Sequence, residues 1–424
     1  MTATPRRRRQ TGMTPLIAEP SSSIDLFDDT VLDDPYPLYE VLRGMGPAVW
    51  LNRHDMWFIG GYEDVRTALH AAATFSSENG IALTDTANRQ FLNGTVLVAH
   101  GMRHVQLRRP LSRQLAPRAM KSLVPEIGSR AARLAVEYIS KGAFDAVELV
   151  TEFVAGQVVH LMGLPESTRP KLVAQGAAAF DMFGPDNARH RAAAPLATAM
   201  MTFLSTEVSR DTVRPGSWMA DLYRAADDGD IAEDDVVPLM SAYTTAGMDT
   251  TIHGITAALH HLAHHQRYYK ELRTGRLKAA AVFQEAIRLD APIQGFGRRA
   301  RRDTRVGNAR IRAGEQVWLS YGSSGRDPRR WGHYADTFRP GRTGADLHLA
   351  LGYGPHACAG GHLAVAQATG LLDALAHHGT RLEPAGIPVR ARNNILRGWE
   401  SLPLTITPDR RRVRHARKPT ATQA

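Results

Sequence analysis

The stretch that decides the fold is LGYGPHACAGGHLAVAQATGLLDALAHHG, from Leu351 to Gly379. Gly352, Gly354, Gly360 and Gly361 crowd around Cys358, the single cysteine of the chain. So many glycines let a backbone pass close to a flat ligand in unusual conformations. Beyond them Ala364, Ala368, Leu371, Leu372 and Leu375 follow the helical period, and Gly379 marks the stop. Cys358 therefore stands just before a helix N-terminus, where the dipole and free N–H groups are expected to favour a thiolate and lower its pKa. A lone cysteine cannot form an intramolecular disulfide. Taken by itself it reads as a small buried hydrophobe, and His356 and His362 leave a cysteine nucleophile open. Neither reading accounts for a histidine two residues before the cysteine inside a glycine frame.

GYGPHACAG resembles the cysteine-ligand signature of the cytochrome P450 family, F-G-x-G-x-H-x-C-x-G. The resemblance implies a mainly α protein with small peripheral β-sheets, in the cytochrome P450 fold. It also implies haem b (iron protoporphyrin IX) with Cys358 as the axial ligand to the metal, pushing electron density toward O–O cleavage. Leu351 stands where the pattern has Phe, which bears on redox potential more than on ligation.

Two further motifs follow the family order. EAIR, Glu285 to Arg288, resembles E-x-x-R, with opposite charges three apart on one helix face. APIQGFGRR, RDPRRW and FRPGR come after it, and the family role of the pair is to lock the core with a later arginine, expected to be Arg339. SAYTTAGMDTTIHGITAAL resembles the oxygen-activating helix, A-G-x-D-T-T. There Gly247 leaves room for dioxygen, Thr250 offers a hydroxyl and Asp249 relays protons. The plainer reading of Thr250 is back-bonding to the preceding turn. Buried propionates need cationic partners. By family position these are His104 and Arg108 (H-V-Q-L-R), Arg298 and His356. The acidic-proline segment that usually precedes this motif is missing: Ala99, His100, Gly101, Met102 and Arg103 stand there. The haem-flanking loop is therefore expected to be unusual.

The rest of the chain agrees with a mainly helical reading. PYPLYEVLRGMGPAVWLN opens as a helix that stops at Gly46-Pro47, and MWFIGGYEDVRTAL reads as strand, glycine turn and helix. RVGNARIRAGEQVWLSYG reads as two short strands around a turn at Arg312 to Gly314. No repeat or linker interrupts the chain of 424 residues, so one catalytic domain is expected over 23–408, between a disordered basic tail at 1–22 and a basic tail at 409–424. The formal charge of +10 suggests nucleic acid until it is placed: Arg6 to Arg9, Arg410 to Arg412, Arg414, Arg417 and Lys418 supply all of it. The body is near neutral, so no nucleic-acid partner is expected. No apolar stretch reaches the roughly 20 residues of a membrane span, and no signal peptide is recognised; the expectation is a cytoplasmic protein without a membrane anchor. His260, His261, His264 and His265 have a spacing that can bind zinc, but no further ligand completes a site, and a solvated helix end is the better reading.

The family resemblance, from PYPLYE to LRGWESLPL, implies dioxygen activation with electrons from a ferredoxin and an NAD(P)H-dependent ferredoxin reductase. The family often has an arginine seven residues after the cysteine; Val365 stands there. SSENGIALTD, FDMFGPDN and NNILRGWESLP look most like bacterial forms that oxidise small aromatic compounds, para-substituted benzoate demethylases among them. In those enzymes an Arg and a Ser on the oxygen helix, with an Arg from an earlier loop, hold the carboxylate. Here the positions are Ser241, Ala242 and Phe91. The expected substrate is therefore a small neutral aromatic molecule, a natural-product intermediate, to be hydroxylated, dealkylated or coupled; a para-substituted benzoate is the alternative. Pocket candidates by family position are Phe91, Met182, Phe183, Ser241, Ala246, Phe296, Ile395 and Leu396, each open to a plain packing role. A haem sensor or carrier would not need the Asp249–Thr250 pair.

Overall fold

The computed structural model describes residues 19–412, so the two expected tails lie largely outside the described residues. Within them, Ser21–Ser22 pairs in parallel with Trp50 and Leu51, and Asp409 meets Arg273 at 2.6 Å. Strand pairing thus begins inside the expected N-terminal tail.

The helix read after Cys358 runs Gly361–His378 and packs along Pro117–Lys141. Its apolar stripe of Leu371, Leu372 and Leu375 joins Phe153, Val154, Ile255, Leu259 and Phe283 in one nearly dry core. These come from Ala146–Met162, Asp249–His264 and Ala279–Leu289. Each such side chain stabilises the fold by about 1.5–3 kcal/mol on burial, which is why the helices carry most of the structure.

A mixed sheet of six strands forms a second layer, in the order Ser21–Ser22, Val49–Leu51, Met56–Ile59, Gln316–Ser320, Gly295–Ala300, Phe75–Ser76. Its central strands are buried throughout, and Phe58, Ile59, Trp318 and Leu319 make a separate core. Ala350, at the entrance to the cysteine loop, packs against both cores. One expectation is corrected here. The residues 305–322 do not form one pair of strands about Arg312 to Gly314. Val306 pairs with Ala309, so the hairpin turns at Gly307-Asn308, which tolerate the backbone a two-residue turn demands. The Arg312–Gly314 turn then leads into Gln316–Ser320, which pairs elsewhere. The histidine run is also less exposed than expected: His261 Nε2 meets Asp290 at 2.8 Å and His260 lies against Trp399.

Glu285 and Arg288 are both fully buried and pair at 2.7 Å. Burying a charge pair is tolerated only when the remaining polar atoms are satisfied. Arg288 donates to the carbonyls of Gly325 and Ala335, and Glu285 Oε1 accepts from Arg342 Nε at 3.2 Å. Arg339 was expected in that place and is not there. Only its backbone N–H reaches Glu285, at 2.9 Å, while its guanidinium lies outward over Tyr334. Arg342 instead donates to the carbonyls of Trp331, Tyr334 and Thr337. Chain direction decides this: the backbone of residue 339 faces the helix, which turns its side chain away. Arg342→Ala should lower the unfolding free energy by about 3 kcal/mol, while Arg339→Ala, which keeps the N–H, should cost less than about 1 kcal/mol. Urea unfolding of the two variants measures the difference.

Candidate active site

The cysteine loop is held before its helix begins. His348 Nδ1 accepts from the Ala350 N–H at 3.1 Å, so its Nε2–H donates to Gln284 Oε1 at 2.7 Å. That pair ties the loop to the Ala279–Leu289 helix. The Cys358 N–H then donates to the Leu351 carbonyl at 2.8 Å. Gly354 has φ +73° and lies so close to the Leu69 carbonyl that a Cβ would sit 3.0 Å from it; another residue would be both strained and crowded.

Cys358 is accessible, yet enough protein surrounds it for burial to push its thiol pKa up. An accessible atom with that many neighbours lies in a concavity, not on an open surface. The N–H groups of Gly360 and Gly361 and the charge of Arg108 oppose the shift but do not overcome it. The expectation of a lowered pKa is thus corrected: desolvation outweighs the helix terminus in the protein alone.

Cations gather beside the sulfur. Arg108 Nη2 donates to the Ala357 carbonyl at 2.5 Å. Rings of His104 and His356 lie 4.5 Å apart, and His100 stands edge-on to His356 at 5.5 Å. Arg298 is buried on its strand and donates to the Gly297 carbonyl. Burial holds His356 down to about 3, with Arg298, His104, His100 and Arg108 adding repulsion; no carboxylate offsets it. Burial likewise lowers His104, and its Nε2 is buried without a partner. Two arginines that meet only backbone carbonyls, beside an imidazole nitrogen left unpaired, could take an anion.

The oxygen-helix segment is broken, where a continuous helix was read. Val236–Ala246 stops at Gly247, Met248 leaves helical geometry with φ −112° and ψ −73°, and Asp249–His264 starts again. A Cβ on Gly247 would lie 2.5 Å from the Tyr243 carbonyl, so the break requires glycine. Ala246 is exposed although it sits mid-chain between packed helices. Asp249 is buried, its Oδ2 has no partner, and burial raises its pKa to about 7. Thr250 Oγ1 donates to the Ala246 carbonyl at 2.9 Å, the back-bonded arrangement, which leaves its lone pairs free.

The family model described as Cytochrome P450 matches residues 279–376, which include both the Glu285 cluster and the cysteine loop. The chain is 32% identical over 393 residues to cytochrome P450 CYP199A2 of Rhodopseudomonas palustris, covering 92% of this chain and 95% of that one. The chain belongs to the cytochrome P450 family. It is also 26% identical to the beta-dihydromenaquinone-9 omega-hydroxylase of Mycobacterium tuberculosis, over 91% of this chain and 79% of that one. The structure of cytochrome P450 CREJ in complex with (4-ethylphenyl) dihydrogen phosphate matches in fold, with a TM-score of 0.79 at 24% identity, covering 89% of this chain and 98% of that one.

As a cytochrome P450 the protein is a haem b monooxygenase that uses dioxygen and electrons from redox partner proteins. The residues present fit that cofactor: a cysteine in a concavity could hold the iron, and His104, Arg108, Arg298 and His356 could hold two carboxylates. Among the described residues no helix is long and apolar enough to cross a membrane.

The aromatic pocket candidates are mostly enclosed. Phe183 and Phe296 lie 6.2 Å apart, Leu83 N–H donates to the Phe183 carbonyl, and Phe91 is half-buried at the end of Asp85–Gln90. Met182 and Leu396 are almost enclosed and Ile395 is wholly so, which makes Ile395 a packing residue here. Ser241 donates back to the Pro238 carbonyl at 2.8 Å. Sequence reasoning missed Arg342, His348 and the contact partners of His100. FRPGR holds two arginines and gave no means to choose between them; His348 carries no local signal. Cys358→Ser should abolish the red-shifted Soret band of the reduced carbon monoxide complex, measured by difference spectroscopy of purified protein, while a normal band in the variant would exclude Cys358 as ligand.

Proposed function

We propose that this cytochrome P450 oxidises a small neutral aromatic molecule, with Cys358 as the axial ligand. The chain has one cysteine, so the thiolate of the family can come from Cys358 alone. His104, Arg108, Arg298 and His356 would bind the propionates, turning an unpaired cation cluster into a neutralised one. When bound, thiolate-ligated haem supplies two-electron activation of dioxygen. The polypeptide supplies shape and protons. Asp249, raised to about 7, keeps a substantial neutral fraction near neutral pH and can serve as a proton donor when its side chain turns from Gly176, against which Oδ2 now lies. Thr250, one residue on, has lone pairs to hold a polar guest in line with it. Electrons are inferred to come from a ferredoxin and its NAD(P)H-dependent reductase.

The observation that carries the substrate reading is that, among the described residues, no cation on the aromatic side is left without a partner. Phe91 and Ala242 replace polar groups, and Ser241 is committed to its own helix. Arg299, the remaining cation near Phe296, turns outward to the Asn79 and Gly314 carbonyls and to Asp85. Burying an unpaired carboxylate costs several kcal/mol, whereas a neutral ring needs only the apolar walls. Natural-product intermediates of that kind fit the reading.

Thr250→Ala should keep cofactor and substrate binding but divert most reducing equivalents to hydrogen peroxide, assayed as product formed per NAD(P)H consumed; unchanged coupling would remove Thr250 from the proton route. For the substrate class, neutral aromatic compounds should shift the Soret band with dissociation constants at least about tenfold lower than matched para-substituted benzoates, a difference of roughly 1.4 kcal/mol. Tighter saturable binding of a simple benzoate would overturn the neutral reading.

A further inference from the structure

We propose that His100 is a positioning residue that ties together the three segments carrying the propionate-binding cations, and that it works as an uncharged acceptor. The proposal rests on the reading of those cations given above. His100 occupies the stretch where the usual acidic-proline segment is missing, and its side chain does not cap its own helix. It reaches back instead. Its Nε2 receives the backbone N–H groups of Ser77 and Glu78, each at 3.2 Å, and lies 2.8 Å from Ser76 Oγ.

The chemistry of those donors fixes the state of the ring. Two backbone N–H groups can only donate, so Nε2 must present a lone pair and the proton must sit on Nδ1. An imidazolium would place N–H against N–H and lose both backbone bonds, keeping only Ser76 Oγ, which can accept as well as donate.

The tie matters because of what each end carries. Ser76 pairs with Arg299 on the strand that holds Arg298. The loop beyond it is fastened to the same sheet: the Gly297 N–H donates to the Ile81 carbonyl at 3.1 Å, and Gln316 Nε2 donates to the Gly80 carbonyl at 2.6 Å. At its other end His100 begins the Gly101–Leu115 helix, which carries His104 and Arg108, and its carbonyl accepts from the His104 N–H. Its ring edge meets His356 of the cysteine loop. One side chain thus links the segments bearing Arg298, His104 and Arg108, and His356.

The charged and titratable groups around His100 are Glu78 from its own contact loop, Arg298 and Arg301 from the strand and its end, His104 on its own helix and His356 across from it. Glu78 is engaged by Arg301 at 2.9 Å. Burial lowers the His100 pKa; Glu78 opposes this, and Arg301 and Arg298 add to it. A histidine depressed in the folded state favours its neutral form there. Its contribution is therefore complete above the ordinary value of 6.5 and is lost as pH falls below it.

The test uses holoenzyme of the wild type, His100→Ala and His100→Asn, the last supplying an acceptor that does not titrate. Hydrogen exchange reads the Ser77 and Glu78 amides as protection factors, and transfer to excess apomyoglobin reads haem release, each at pH 7.5 and 5.8. Loss of the acceptor in His100→Ala should lower amide protection and speed haem release by about tenfold at both pH values. Wild type should move toward that behaviour at the lower pH, and His100→Asn should retain most protection without the acid response. Unchanged amide protection in His100→Ala overturns the tie, and lost protection with unchanged haem release overturns its role toward the cofactor. An acid response in His100→Asn as steep as in wild type overturns the titration. Should His100→Ala fail to fold, the comparison of wild type with His100→Asn still decides. Arg298→Ala serves separately: haem release at the wild-type rate there would remove the propionate reading itself.

Discussion

Cations converge around Cys358 without a carboxylate to balance them. Burial, with Arg298 and Arg108 close by, keeps His356 neutral in a partly desolvated space, and His104 Nε2 is buried unpaired. Such an arrangement costs stability unless an anion enters it. The thiol behaves in the same way, since burial pushes its pKa up despite the N–H groups of Gly360 and Gly361. Haem b, the cofactor of the family, carries the two carboxylates and the metal cation that such a site could take.

Two neutralised buried clusters make it possible to keep one cluster unsatisfied. Glu285, Arg288 and Arg342 fasten the Ala279–Leu289 helix to the segment that runs toward the cysteine loop. Asp290 does comparable work, meeting His261, Arg326 and Arg397 together with the Tyr36 hydroxyl. Both are saturated with partners, and so can be rigid. The site between the two cores is not saturated. Its open valences are Cys358, His104 Nε2 and Asp249 Oδ2. The contrast between saturated scaffold and unsatisfied site is the physical form that function takes in this fold.

The substrate side is decided by different means. Phe183 and Phe296 are buried in the second core and Phe91 is half-buried, while Ser241 bonds to its own helix and Arg299 to the Asn79 and Gly314 carbonyls. Arg298, proposed above for a propionate, donates to the Gly297 carbonyl.

The cysteine loop, the Glu285–Arg288 pair and the Gly247–Thr250 segment were legible from sequence because each is a local pattern. Glycine spacing, a three-residue helical step and a cysteine before a helix act over a few residues, and local sterics and hydrogen bonding dictate them. The helix after Cys358, the Met56–Ile59 strand and the mainly helical stretch from Met102 to His265 followed from the same periodicities. What the chain by itself did not determine was which distant groups meet. Arg342 in place of Arg339 depends on the direction of a segment that has no periodicity. The Gly307-Asn308 hairpin depends on where Gln316–Ser320 finds its partner strands. The upward shift of Cys358 depends on how much protein surrounds the sulfur, a property of packing alone. His100 stood in the sequence as a departure from pattern, and only the tertiary contact with Ser76, Ser77 and Glu78 gave it work. Desolvation and donor direction are set by neighbours far along the chain, and those come into being only when the two cores close on each other.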